Sequence, residues 1–265
     1  MNAFGKWAAK LRALTSRQGF SCDSCGVEVF EYPKRRLCED CESRLAKNNV
    51  RICPLCGRET LANGVCLDCK TLAPYFNKGC APFTYNTLTA RLITRLKNGN
   101  RRLAYFFGEE MAKALFERVG TIQEQFGGGR YALNGAKLLI VPVPLTRERQ
   151  RERGYNQAQE LAFVIAAELE KLGVATEIDL ELLIKRRETN MQKDLGIKER
   201  AENARGAYHV HKRSACEKRA VLLVDDIMTT GETGNECARV LKNAGAKRVY
   251  FFTCASLAEK KIENK

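Results

Sequence analysis

The sequence predicts an α/β fold, a mainly parallel sheet flanked by helices, behind a small N-terminal metal-binding module. Three observations carry that expectation. Residues 137–143 and 221–224 are apolar runs of the kind needed by strands buried on both faces of a parallel sheet. Each gives way to loop-forming residues and then a helical pattern, as βα units do. Ahead of them, eight of the 12 cysteines form four C-x-x-C pairs.

At 265 residues the chain has room for one full α/β domain plus a small module. Three segments are expected: a basic extension at 1–20, a cysteine-rich module at 21–78 and the sheet domain at 79–265. No run of 18 apolar residues occurs, and the N-terminus has no apolar stretch of signal-peptide type, so the expectation is a cytoplasmic protein without a transmembrane segment. The formal net charge is +14, yet residues 1–80 hold 13 Lys and Arg against 8 Asp and Glu, so most of the surplus lies downstream. It gathers at Arg91, Arg95, Lys97, Arg101 and Arg102, at Arg147, Arg149, Arg151 and Arg153, and at Lys185, Arg186 and Arg187. Such clusters suit polyphosphate or nucleic acid. Glu148 and Glu152, alternating with the arginines, also fit a plain solvated face.

In chain order, residues 4–17 read as a basic helix with Phe4, Trp7, Leu11 and Leu14 on one side. A short linker at 73–78 leads to a strand at 79–86, an amphipathic helix at 88–96 and a second helix at 102–118. Gly127, Gly128 and Gly129 mark a connecting loop. The strand at 137–143 must end where Pro142 and Pro144 interrupt it, and a helix follows at about 156–171. Strands are expected at 181–186 and 207–211, separated by a polar excursion at 187–205 with one helical turn. His209 and His211 fall on the second of these. The strand at 221–226, a helix at 233–244 and a strand at 248–255 complete the order. Cys80, Cys216, Cys237 and Cys254 stand outside the pairs and read as small buried residues.

Tetrahedral Zn²⁺ takes four thiolates, and a C-x-x-C turn presents two from one knuckle, so four knuckles make two closed sites. The candidate ligands are Cys22, Cys25, Cys38, Cys41, Cys53, Cys56, Cys66 and Cys69. Chain order favours 22/25/38/41 with 53/56/66/69, and spacing alone leaves an interleaved pairing open. A disulfide framework would need an oxidising compartment, for which the N-terminus carries no signal. The module is poor in large aliphatic residues, so bound metal is expected to supply its folding energy.

Residues 221–233, VLLVDDIMTTGET, hold the densest chemical signal. Asp225 and Asp226 fall at the carboxyl end of a buried strand, where open α/β sheets bind ligands. Thr229, Thr230, Gly231, Glu232 and Thr233 lead into a helix whose unpaired first-turn N–H groups favour a phosphate. The acids then suit ribose hydroxyls. An acidic strand of this kind also occurs in P-loop ATPases, but no G-x-x-x-x-G-K-[ST] is present; a receiver domain would need further βα units.

This segment resembles the phosphoribosyl-pyrophosphate (PRPP) motif of type I phosphoribosyltransferases. Four collinear segments together are similar to the ComF family: Tyr85 with Leu92, Ile93, Leu96 and Lys97; VPVPL with Arg149, Arg153, Gly154, Asn156 and Gln157; Thr189, Gln192, Leu195, Arg200, Asn203, Ala207 and Tyr208; and the PRPP motif. The resemblance implies a type I phosphoribosyltransferase fold with a double zinc ribbon at its N-terminus, associated with DNA uptake and natural transformation. It implies Mg²⁺ together with PRPP, and single-stranded DNA and other competence proteins as partners. Asp225 and Asp226 would take the ribose hydroxyls, partly through Mg²⁺, while the 229–233 loop wraps the 5-phosphate. Leu145 and Thr146 correspond to the pyrophosphate loop, Lys97, Arg149 and Arg153 are its cationic candidates, and Arg187 lies in a flap-like segment. Thr229 stands where hypoxanthine–guanine salvage enzymes carry a carboxylate, which disfavours that acceptor class and leaves the general base unassigned. Two activities fit: transfer of phosphoribosyl to an unidentified acceptor, or PRPP sensing. A non-catalytic single-stranded-DNA-binding accessory protein is the alternative.

Overall fold

A computed structural model describes residues 21–30, 35–118, 137–186 and 204–259. The expected helix at 4–17, the three glycines 127–129, and Arg187, Thr189, Gln192, Leu195, Arg200 and Asn203 lie outside the described residues.

The cysteine-rich segment contributes two short helices, α1 (Glu39–Ser43) and α2 (Leu67–Thr71). Next come β1 (Lys78–Cys80), β2 (Phe83–Thr84), α3 (Thr87–Lys97), α4 (Leu103–Arg118) and β3 (Leu138–Pro142). A short helix α5 (Arg147–Arg153) and the long α6 (Gln157–Lys171) precede β4 (Thr176–Ile178), β5 (Leu183–Lys185), β6 (Tyr208–Val210), β7 (Ala220–Met228), α7 (Glu232–Asn243) and β8 (Arg248–Ser256).

Local chemistry starts the helices where it should. Asn86 caps α3, accepting from the amides of Leu88 and Thr89 while Thr89 returns a bond to the Asn86 amide, a reciprocal capping box. Thr146 caps α5 and Asn156 caps α6.

The main sheet runs β1-β8-β7-β3-β4, with β2 also on β8, and every pairing is parallel. Alternation sends Leu138, Ile140, Leu222, Val224, Tyr250 and Phe252 to one face, under α3, α4 and α6. It sends Leu139, Val141, Val221, Leu223, Val249 and Phe251 to the other, under α7. Both faces are covered, which is why the strands read as unbroken apolar runs.

Four sequence expectations change. The strand at 79–86 is split into β1 and β2, because Pro82 between them has no N–H to donate to a ladder. The strand carrying the acids continues to Met228, two residues past Asp226. α5 and β4 are additions that the sequence did not signal. The strands at 181–186 and 207–211 pair with each other antiparallel, apart from the main sheet, and His209 and His211 are both exposed. Cys80, Cys216, Cys237 and Cys254 are buried, as expected.

The cysteine-rich segment has no core of its own. Cys22, Leu37, Cys41 and Leu45 join the face under α3 and α4, whereas Cys53, Cys56, Cys66, Cys69 and Phe76 join the face under α7. The segment therefore straddles the β1 side of the sheet. Among the described residues no helix is long and apolar enough to cross a membrane.

Candidate functional site

Topology exposes the acids. β3 pairs with β7 as far as Pro142 opposite Val224, and the Val143 amide still donates to Val224, but β7 continues beside β8 alone. Asp225 and Asp226 therefore lie just beyond the end of β3, at the carboxyl edge of the sheet. Alternation turns them to opposite faces.

Asp226 is buried and faces α3 and α6. Its Oδ1 lies 3.0 Å from Lys97 Nζ, and its Oδ2 accepts from Gln157 Nε2 at 2.7 Å. Gln157 Oε1 in turn accepts from Arg153 at 3.0 Å. Three residues picked from the sequence, Lys97, Arg153 and Asp226, thus form one polar chain, linked by Gln157. Asp226 therefore already holds two donors.

Asp225 is half-buried and faces the α7 side. Its Oδ1 accepts from the Asp226 amide at 2.8 Å. Burial, reinforced by the Asp226 charge, pushes its carboxyl up to about 7, with Lys97 and Lys185 opposing. The other Asp225 oxygen is a hard donor of the kind a divalent cation takes.

Beyond the acids, Thr229 is exposed, and Thr230, Gly231, Glu232 and Thr233 are half-buried. Gly231 sits before α7 with φ +91°, a left-handed conformation that a side chain would strain. The amides of Thr230, Gly231 and Thr233 have no acceptor among the described residues. Thr146 is buried and its hydroxyl accepts the Arg149 amide, so it shapes the start of α5; Leu145 beside it is half-buried. Arg149 stands exposed on α5, and Arg187 lies outside the described residues.

Two positioning contacts gave weaker signals. The Tyr155 hydroxyl donates to the Leu96 carbonyl and accepts the Gly99 amide at 3.0 Å, tying the end of α3, and with it Lys97, to the α5–α6 turn. Arg58, beside the second pair of knuckles, reaches the carbonyls of Thr229 and Thr230 at 3.2 and 3.3 Å. An aromatic in a Gly-Tyr-Asn turn and an arginine after a knuckle glycine were the only cues.

The cysteines gather as Cys22, Cys25, Cys38 and Cys41 and as Cys53, Cys56, Cys66 and Cys69, each set with its sulfurs within 4.8 Å of one another. The sequential pairing is the observed one. Sulfur separations of 3.6 Å for Cys25–Cys38 and for Cys56–Cys66 fit the roughly 3.8 Å edge of a tetrahedron built on Zn–S bonds of about 2.3 Å. Backbone amides of Ser24 and Cys38 point at Cys22 Sγ, and that of Cys66 at Cys53 Sγ, as thiolates require. Both sites are compatible with zinc. Gly57, with φ +74°, packs backbone to backbone on β1: a Cβ there would lie 2.5 Å from the Gly79 carbonyl, and one at Gly79 would lie 2.6 Å from that of Cys56.

Comparison with known proteins agrees with this architecture. The family model described as phosphoribosyl transferase domain matches residues 154–265. Competence protein ComFC of Bacillus subtilis (strain 168) is 28% identical over 261 residues, covering 95% of this chain and 98% of that protein. Competence protein F of Haemophilus influenzae is 28% identical over 233 residues, covering 87% and 94%. Competence protein ComFC of Streptococcus pneumoniae is 31% identical over 223 residues, covering 82% and 86%. With two four-cysteine clusters ahead of a type I phosphoribosyltransferase fold, and a relative above 30% identity across most of its length, this chain belongs to the ComF family of competence proteins.

Proposed function

We propose that the protein binds PRPP with Mg²⁺ at the carboxyl edge of the sheet and either transfers its phosphoribosyl group or senses it. The observation that carries this reading is the polar chain in which Lys97 and Gln157 meet on Asp226 and Arg153 donates to Gln157, next to a loop whose Thr230, Gly231 and Thr233 amides have no acceptor among the described residues. The loop and the start of α7 take the 5-phosphate, by amide donors and helix dipole. Asp225, with one oxygen unengaged, takes a ribose hydroxyl. Asp226 holds Lys97 aimed at the edge. Lys97 and Arg153, with Arg149 on exposed α5, face the pyrophosphate and stabilise negative charge gathering on it as the bond to C1 lengthens. Mg²⁺, when bound, would be held through Asp225 and would supply further charge neutralisation. The working division of the chain is 1–20, 21–78 and 79–265, with the cysteine-rich segment in the place of the hood over the acceptor.

Titration calorimetry with Mg-PRPP tests this reading on zinc-loaded protein. Saturable binding supports it, and no heat at millimolar ligand overturns it.

The row of exposed arginines on α5, Arg147, Arg149 and Arg151, favours a second reading in which single-stranded DNA runs along this edge. The competence names of the relatives agree with a place in DNA uptake beside other competence proteins. Each neutralised phosphate would contribute a slope of about −0.7 to log affinity against log salt. A flat salt response excludes it.

A further inference from the structure

The second four-cysteine cluster lies directly behind the loop that faces the phosphate. Arg58 follows its knuckle glycine and is 5% exposed. One guanidinium nitrogen meets Asp68 Oδ2 at 2.5 Å; the other donates to the carbonyls of Thr229 and Thr230. Asp68 itself lies between cluster ligands, on α2.

The direction of those bonds matters. In a planar trans peptide the C=O of one residue and the N–H of the next point opposite ways. With the Thr229 and Thr230 carbonyls drawn toward Arg58, the Thr230 and Gly231 amides are turned away from the cluster. Neither amide has another partner among the described residues. A small cavity of about 40 Å³, lined by Cys56, Arg58, Phe76, Met228, Gly231 and Asn235 among others, lies behind the loop, so without the guanidinium the peptides have space to turn back.

The geometry points to Arg58 as a positioning residue that couples the second four-cysteine site to phosphate binding, fixing the 229–231 peptides with their N–H groups outward. This deepens the proposed function and rests on it. Coupling is reciprocal: a ligand phosphate on the loop stabilises the arrangement that holds Arg58 against Cys56 and Asp68, and so tightens metal binding at that site. The first four-cysteine site, on the opposite sheet face, is not tightened.

The test compares wild type, Arg58→Lys and Arg58→Ala, each as the full zinc-loaded chain. Titration with Mg-PRPP and with ribose 5-phosphate reads affinity, a colorimetric chelator reads zinc release, and hydrogen exchange reads the Asn235 and Glu236 amides at the first turn of α7. The expected result is at least a 30-fold loss of affinity for both ligands in Arg58→Ala, an intermediate loss in Arg58→Lys, which cannot span both carbonyls, and about tenfold faster exchange at the start of α7. Tighter equilibrium retention of one of the two zincs against the chelator when ribose 5-phosphate is present in wild type, absent in Arg58→Ala, completes the expected pattern. Unchanged affinity and exchange in both variants overturn the inference. Should Arg58→Ala aggregate, wild-type values in Arg58→Lys do so alone. A wild type that ignores Mg-PRPP overturns the proposed function instead, and the exchange rates at α7 still decide whether Arg58 holds the loop.

Discussion

Asp225 and Asp226 are adjacent in sequence yet do different work, because strand alternation gives them different neighbours. Asp226 has Lys97 and Gln157; Asp225 has mainly the Asp226 charge and a low-dielectric surround, and its carboxyl is pushed up to about 7. A folded-state carboxyl raised above its ordinary value of 3.8 binds its proton more tightly than the unfolded chain does. Its contribution to stability is complete below about pH 4 and is lost as pH rises through about 7. Asp225→Asn removes the charge without changing shape. It should raise the ligand-free melting temperature by roughly 3–6 °C at pH 8 and by almost nothing at pH 4, while abolishing Mg-PRPP binding. Melting curves at the two pH values check the sign, and a uniform shift would contradict it. Lys97→Met leaves the buried Asp226 without its cation. Because the Lys97 side chain is 26% exposed, the cost should fall below that of a fully buried pair, roughly 1–3 kcal/mol, with a larger loss in Mg-PRPP affinity, measured by denaturant unfolding and calorimetry.

At the scale of elements, what could be read in the sequence depended on how much each segment buries. β7, β8 and β3 bury both faces, and their apolar runs located them within two residues at every end. α3, α6 and α7 each carry a buried stripe, and were found as readily. α5 buries nothing: RERQRER has no apolar period, and only its Thr146 cap and the left-handed Gly154 at its end define it. β4 has three residues, too few to show alternation. The acid–loop–helix signal names the region of the candidate site, but the contact of Gln157 with Asp226 joins residues 69 apart, and that of Arg58 with Thr230 joins residues 172 apart. No local pattern encodes such pairs. The close approach of the second cluster to β1 is equally non-local, and it yields a prediction. Gly79→Ala would place a Cβ 2.6 Å from the Cys56 carbonyl, with backbone rather than a flexible side chain in the way. The variant should lose about 1–3 kcal/mol or more, and its zinc content should fall from two per chain toward one. Thermal melting and metal analysis together check this; full zinc with an unchanged melting temperature would contradict it.

Across the whole molecule, the two four-cysteine clusters brace the two halves of the candidate pocket from opposite faces of one sheet. The second does so through Arg58 and the 229–230 carbonyls. The first acts on α3: Arg95 donates to the carbonyls of Asp23 at 2.9 Å and Ser24 at 2.6 Å, and Arg91 donates to Ser24 Oγ at 3.0 Å. Lys97, at the end of the same helix, reaches Asp226. Because the cysteine-rich segment has no independent core, metal bound at the first site would stabilise the segment that Arg91 and Arg95 grip, and removing it should loosen α3 before α7. Cys25 is the exposed ligand of that site, so Cys25→Ser disturbs the metal with little change in packing. The expected variant keeps one zinc per chain, exchanges the α3 amides faster and those of α7 at the wild-type rate. Its ligand preference should split as well. Mg-PRPP, whose pyrophosphate faces Lys97 in the proposed pose, should lose about tenfold or more in affinity, whereas ribose 5-phosphate, held by the loop and α7, should bind as before. Calorimetry with the two ligands reads the difference directly; equal losses for both would mean that the first cluster supports the fold as a whole and not the Lys97 side of the pocket.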